Sequence, residues 1–354
     1  MAFAEYIWLD GDAPTQGLRS KARFVDDFGL AQVKPGDLPE WSFDGSATGQ
    51  AEGHDSDCAL IPVRVVNDPT REGGHYLVLC EVFNADGCPH PTNARAHLRE
   101  LLGAGADRED AWIGFEQEYT LFANGRPLGF PETGTPAPQG PYYCGVGIDR
   151  AFGRPVAEEH ARLCVEAGLC FFGLNAEVMP GQWEFQIGYR GRDNEDAGLL
   201  AMSDHMWIAR YLLHRAAEKH GVVVSFDNKP VKGDWNGAGL HANFSSAATR
   251  TDGGLDAIYE AVRRLSRNHD AHIAVYGDRL DERLTGLHKT CSIGEFRAGG
   301  ADRDASIRIP LGVEQGGRGY FEDRRPGANA DPYKVAARLA ATVFDIALDH
   351  SKAA

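Results

Sequence analysis

Apolar and polar positions follow two different rhythms along this chain. Through the first hundred residues the apolar runs are short and β-branched, at 6–9, 60–66 and 76–83, with Gly, Asp and Pro between them. Such runs predict strands. Asn84-Ala85-Asp86-Gly87 predicts a turn. Thr92-Asn93 then caps a short amphipathic helix over 94–102, with Ala94, Leu98, Leu101 and Leu102 on one face. The small residues Gly103-Ala104-Gly105-Ala106 mark a boundary, dividing the chain into domains 1–104 and 105–354. Beyond it, strands predicted at 112–122, 177–187 and 222–226 alternate with helical patterns near 155–168, 200–220, 254–270 and 333–349. That order suggests a mixed α/β catalytic domain. Gly-rich pieces at 129–147, 233–239 and 312–319 read as loops too long to be idle turns.

Composition narrows the classes. With 43% hydrophobic and 25% charged residues the chain is globular, which excludes collagen, coiled coil and disorder. Lys and Arg number 36 against 51 Asp and Glu, a formal charge of −15 that argues against a nucleic-acid or anionic-membrane partner. No stretch approaches the ~18 apolar residues of a membrane span. The first residues lack the basic and apolar regions of an export signal. Seven cysteines, odd in number and scattered, read as reduced thiols of a cytoplasmic protein.

The chemistry-bearing signal is a set of carboxylates among apolar strand residues. In Phe115-Glu116-Gln117-Glu118-Tyr119 the two glutamates are two apart, so a strand puts both on one face. The segment 175–185 adds Glu177 and Glu184, again flanked by apolar residues. Buried carboxylates repel one another unless a hard cation lies among them, and Mg²⁺ or Mn²⁺ takes oxygen ligands. The competing expectation is that these are solvent-side residues of half-buried strands. A second constellation, Gly233–Ser245 in a Gly-rich stretch, offers Asn236, His241, Asn243 and Ser245 as donors, acceptors and a metal ligand. A third holds Arg303, Arg308, Arg324 and Arg325, four of the guanidinium groups that crowd 303–325 of an acidic chain. Guanidinium forks match phosphate and carboxylate oxygens. Surface ion pairing is the blander account of any one of them. Together these residue types point to metal-assisted phosphoryl transfer from a nucleotide, although neither a P-loop nor a Rossmann fingerprint occurs.

In their order along the chain these segments resemble type II glutamine synthetase: 18–21, Trp41-Ser42-Phe43-Asp44-Gly45-Ser46, 115–119, 138–147, 175–186, 233–245, Arg283-Leu284-Thr285-Gly286 and 303–326. The resemblance runs nearly end to end. It implies an α+β fold, with an N-terminal β-grasp domain and a C-terminal catalytic domain related to guanidino kinases. It also implies homo-oligomeric rings with active sites between subunits. The family phosphorylates glutamate's γ-carboxylate with ATP as co-substrate, and ammonia then displaces phosphate. Carried over by motif, two or more Mg²⁺ or Mn²⁺ ions are implied. Glu118, Glu177 and Glu184 would hold one, and Glu116, His241 and Glu322 another. Asn236, Gly237, Arg283 and Glu177 would bind the acid substrate. Arg303, Arg308 and Arg324 would neutralise the transferring phosphoryl group. Asn243, Ser245 and Arg250, with Arg308, would line the nucleotide.

The amine side departs from the pattern. The family's ammonium pocket uses an Asp, a Ser, a Tyr and a flap Glu. Asp44 and Tyr143 are present, but Ala47 stands at the Ser position and Lys289 replaces Glu in His288-Lys289-Thr290. Asp304 and Gly300 also differ from the usual residues. A lysine repels ammonium: two like charges 4 Å apart cost about 4 kcal/mol at an effective dielectric near 20, about a thousandfold in occupancy. The expectation is therefore a ligase that activates a glutamate-like acid and joins it to an amine, with weak use of ammonia. The alternatives are ordinary glutamine synthesis, with Glu295 taking over the lost carboxylate; a kinase releasing a phosphorylated product; and a non-catalytic nucleotide-binding regulator.

Overall fold

Alternation in the first hundred residues becomes a five-stranded sheet. The structure is a computed structural model and describes residues 1–26 and 33–348. Strands β1 (Ala2–Leu9), β2 (Leu18–Val25), β3 (Trp41–Asp44), β4 (Asp57–Asn67) and β5 (Tyr76–Phe83) lie in the order β2-β1-β5-β4-β3. Only β1 and β5 pair parallel. Period-two alternation divides each central strand between two cores. Tyr6, Trp8, Val78 and Cys80 enter a core that belongs to this sheet, whereas Ile7, Leu77 and Leu79 join the main core. Burial on both faces explains why β5 reads as an apolar run broken only by Glu81. Helix α1 (Ala94–Gly103), capped by Asn93, presses Leu98 and Leu101 into the main core.

The second sheet is built on the long β6 (Trp112–Ala123). With β7 (Arg126–Pro127), β8 (Phe171–Ala176), β9 (Gln182–Ile187), β10 (Val223–Ser225), β11 (Leu240–Ser245), β12 (Ala298–Gly300), β13 (Ile307–Ile309) and β14 (Phe321–Asp323), it has the order β12-β13-β14-β11-β6-β9-β8, with β7 and β10 also pairing β6. Every pair is antiparallel except β12 with β13. The strand–helix alternation in sequence therefore does not arise from parallel crossovers. Helices α2 (Arg154–Glu166) and α3 (Leu199–Lys219) follow, then the short α4 (Ala247–Arg250), α5 (Gly254–Arg267), α6 (His269–Ile273), α7 (Leu280–Arg283) and α8 (Leu311–Gly316), and finally α9 (Pro332–Phe344). α3 is buried on nearly every side, as expected of a helix without a polar face.

Two sequence expectations need correction. The strand expected over 177–187 begins only at Gln182, because 177–181 form the turn between β8 and β9. Gly181 there has φ 73°, and a Cβ would meet the Leu128 carbonyl oxygen at 2.7 Å. The stretch 312–319 is not all loop, since α8 runs through Gly316.

One buried carboxylate ties the two halves together. Asp204 of α3 accepts from Arg64 Nε at 2.8 Å, Arg95 Nε at 2.8 Å and the Tyr333 hydroxyl at 2.6 Å, linking β4, α1 and α9. Burial alone would raise its pKa, but Arg95 and Arg64 outweigh that and hold it below the usual value. Its stabilising contribution is thus present above the unfolded pKa and lost as pH falls through the lower folded one. Asp204→Ala leaves two guanidinium groups without their partner and should cost about 3–5 kcal/mol, read as a lower urea midpoint. An unchanged midpoint would show that the tie contributes nothing. Among the described residues, no helix is long and apolar enough to cross a membrane.

Candidate active site

The register of the second sheet lines up polar side chains in a row across six strands. Arg308 on β13 lies opposite Glu322 on β14, which lies opposite Asn243 on β11. His241 on β11 faces Glu116 on β6, Glu118 on β6 faces Glu184 on β9, and Glu184 faces Asn175 on β8. Above this row is a cavity of about 700 Å³, lined by Glu116, Glu118, Glu177, Glu184, His241 and Arg283, and by Tyr143, Asn236, Gly237, Lys289, Arg303, Arg308 and Arg324.

Six donors fall into two triplets. Ligand atoms of Glu116, His241 and Glu322 lie within 4.8 Å of one another, as do those of Glu118, Glu177 and Glu184. All but Glu116 are buried. Like charges directly opposite each other on paired strands are destabilising, and the acid–base properties register the strain. Burial, then the charge of Glu118, raises Glu177 to about 7. Burial and the charges of Glu116, Glu118 and Glu177 raise Glu184 well above the carboxylate range. For His241, burial and Arg324 lower the pKa, but the adjacent Glu116 and Glu322 carboxylates win and hold it at about 9. Burial would also raise Glu322, yet His241, Arg324 and Arg308 pull it far below its usual value.

The donor set fits a divalent cation. His241 Nδ1 is buried without a hydrogen bond of good geometry, 3.5 Å from Glu116 Oε2 and 3.3 Å from Glu322 Oε1. Carboxylate oxygens with one imidazole suit Mg²⁺ or Mn²⁺. Other groups orient the ligands: Gln186 Nε2 donates to Glu184 at 2.7 Å, Asn175 Nδ2 to Glu177 at 3.0 Å and Asn243 Nδ2 to Glu116 at 2.9 Å.

These shifts make a pH prediction. Between pH 4.5 and 7 the folded protein holds a proton on Glu177 that the unfolded chain has released, so metal-free stability falls as pH rises through that window. His241 acts in the same direction, since its contribution is present below about pH 6.5 and lost as pH rises through 9. A divalent ion replaces those protons. Mn²⁺ should therefore raise the melting temperature more at pH 8 than at pH 5.5, and equal rises would count against a shared-carboxylate site.

Around the triplets, Arg283 is buried, donating from Nη1 to the Arg324 carbonyl at 3.1 Å while Nη2 lies 3.1 Å from His241 Nε2. Its approach requires Gly239, where a Cβ would stand 2.3 Å from Arg283 Nη2. Arg308 Nη1 donates to Glu322 at 2.6 Å, and Arg324 pairs with the other oxygen. Asn236 is fixed by Gln182 at 2.9 Å and Gln139 at 2.6 Å.

Other candidates lie elsewhere. Asp44, on the edge strand β3 of the first sheet, is exposed and does not line the cavity. It caps the next turn by accepting from Ser46 N at 3.0 Å and Oγ at 2.6 Å, bonds that hold its pKa down. Ala47 is in that same turn. Asn243 touches the row through Glu116, whereas Ser245 and Arg250 stand apart from the cavity. Arg250 donates to Ser245 at 2.9 Å, covers the Trp112 ring at 3.9 Å and pairs with Asp110. Glu295 is exposed and outside the cavity lining, so it does not replace the missing flap carboxylate in this arrangement. Sequence reading did not single out Gln139, Asn175, Gln186 or His288. Gln186 was discoverable, since strand alternation puts it on the face of Glu184, whereas Gln139 is a loop residue without a periodic signal.

Comparison with known proteins adds an independent line. Residues 1–85 match the family model described as glutamine synthetase, beta-Grasp domain, and residues 89–274 the one described as glutamine synthetase, catalytic domain. The chain is 54% identical over 352 residues to "Glutamine synthetase, chloroplastic" of Chlamydomonas reinhardtii, covering 96% of this chain and 90% of that protein. It is 52% identical over 343 residues to "Glutamine synthetase" of Streptomyces viridochromogenes, covering 96% of each. A solved structure titled "Apo GmaS without ligand" superposes with a TM-score of 0.72 at 22% identity, covering 96% of this chain and 77% of that one, a likeness of fold.

Proposed function

The chain belongs to the glutamine synthetase family, and from that premise we propose that it is a type II, ATP- and divalent-metal-dependent ligase joining a glutamate-like acid to an amine, with weak use of ammonia. The observation that carries this reading is the placement of two intact donor triplets and a lysine around one cavity. Glu118, Glu177 and Glu184 would hold one metal ion, and Glu116, His241 and Glu322 the other. Bound there, the ions would supply Lewis-acid stabilisation of the phosphates and of the acid. Asn236, the Gly237 backbone and Arg283 orient the acid. Arg303, Arg308 and Arg324 offset charge on the transferring phosphoryl group, and Asn243, Ser245 and Arg250 extend toward the nucleotide. Asp44 and Ala47, remote from their own chain's cavity, serve a neighbouring copy in a ring.

Retained metal ligands favour an enzyme over a nucleotide-binding regulator, because clustered buried carboxylates without an ion are costly. Ordinary glutamine synthesis is the reading favoured by the names of the relatives, and Lys289 is the residue against it. The test is incubation with ATP, Mg²⁺, glutamate and a panel of amines, with products identified by mass. A ligase releases ADP and phosphate only with both substrates. A kinase releases ADP but leaves phosphate on the product, and a regulator does neither. Ammonium turnover in the usual enzyme range of about 1–10³ per second would overturn the expectation of weak ammonia use.

A further inference from the structure

The flap carrying Lys289 is fastened in one shape. His288 and Lys289 adopt left-handed backbone conformations, with φ 52° and 59°, which side-chain-bearing residues rarely take. The His288 ring is held on both sides. Nδ1 is 2.9 Å from the Gln139 side-chain nitrogen, and Nε2 is 3.2 Å from Asp234 Oδ1. Gln139 Oε1 in turn accepts from Asn236 N at 2.6 Å. One histidine thus joins the flap to the loop of Gln139 and to the Gly-rich loop of Asp234. Thr290 Oγ1 completes the turn by donating to the Leu287 carbonyl at 2.8 Å.

Held in this way, Lys289 lines the cavity. Its ammonium is 5.7 Å from the centre of the Tyr143 ring and has no carboxylate within 4.0 Å among the described residues. Arg308 and Arg324 instead pair with Glu322. The clamped backbone thus presents to the cavity an exposed ammonium that has no carboxylate partner in its own chain among the described residues.

Building on the ligase reading above, we propose that Lys289 selects an acceptor amine bearing its own carboxylate, an amino acid, by pairing with that carboxylate while the amino nitrogen attacks. The fixed cation also disfavours a protonated amine beside it, so the acceptor arrives as the neutral nucleophile. The nitrogen lone pair forms a bond to the acyl carbon of the acyl phosphate. The carbon–oxygen bond to phosphate breaks, phosphate leaves with the electron pair, and the nitrogen's surplus proton passes to that phosphate. The product is a γ-glutamyl amino acid or the corresponding amide of a glutamate-like acid.

The test compares glycine and β-alanine with glycinamide, ethylamine and ammonium, using the full-length protein with ATP, Mg²⁺ and glutamate. The expected result is ligation of the amino acids with a KM at least about tenfold below that of the neutral-tailed amines. Lys289→Met should raise the KM for glycine about tenfold relative to that for glycinamide, whereas Lys289→Arg should retain the preference. Equal use of glycine and glycinamide by the unaltered protein, or an unchanged glycine KM in Lys289→Met, would overturn the amino-acid assignment while leaving the ligase reading intact. Absence of amine-dependent ADP release with every compound would overturn the ligase reading, and this proposal with it.

Discussion

Glu184→Ala eliminates ADP release whichever acid and amine are supplied, by about a thousandfold or more, while the protein remains folded. Glu184 faces Glu118 across the β6–β9 pair and stands with Glu177 in the more crowded triplet. Burial and three neighbouring carboxylates oppose its ionisation, so without metal it is a destabilising group. Removing it relieves repulsion, and the metal-free variant should unfold no earlier than the parent. With Mn²⁺ the order should reverse, since the variant has lost a ligand and gains less from the ion. Loss of turnover, retention of metal-free stability and loss of metal-induced stability separate a metal ligand from a residue needed only for folding. Undiminished ADP release in Glu184→Ala would remove the metal assignment and the ligase reading built on it.

Lys289→Glu with Ala47→Ser produces ammonium-dependent amide formation up to about a thousandfold faster than in the parent. The magnitude follows from removing the repulsion of an approaching ammonium, about 4 kcal/mol at 4 Å and an effective dielectric near 20. A glutamate at position 289 inherits the same left-handed backbone that lysine already tolerates, so the exchange adds no new backbone strain. It also restores a group able to accept the ammonium proton. Ala47 is outside its own chain's cavity, so on the ring arrangement proposed above its contribution depends on a neighbouring copy. Lys289→Glu alone should therefore give most of the gain in any assembly state, and the added serine matters only in rings. If ammonium use stays at the parent level in both variants, the lysine is not what limits it.

Residue chemistry along the chain was legible before any coordinates. Acidic side chains inside apolar strands, a Gly-rich stretch ending in His241, and arginines in an acidic chain all pointed to metal-assisted phosphoryl transfer, because buried charge demands compensation. Period-two alternation put Glu116 and Glu118 on one face. The helices expected over 94–102 and near 200–220 lie at Ala94–Gly103 and Leu199–Lys219. The end of the strand near Glu177 was misread because a turn held by Gly181 looks apolar in sequence.

Partnership was what only the tertiary structure decided. Alternation fixes the face a strand residue occupies but not the strand that will lie beside it. Glu116 and Glu118 share a face yet serve different triplets, because β11 and β14 approach β6 from one side and β9 and β8 from the other. Likewise, the sequence determined that a lysine stands in the flap, whereas contacts from Gln139 and Asp234 to His288 decided that Lys289 lines the cavity. Those contacts join residues far apart in the chain, and register and loop closure are settled only when such segments meet.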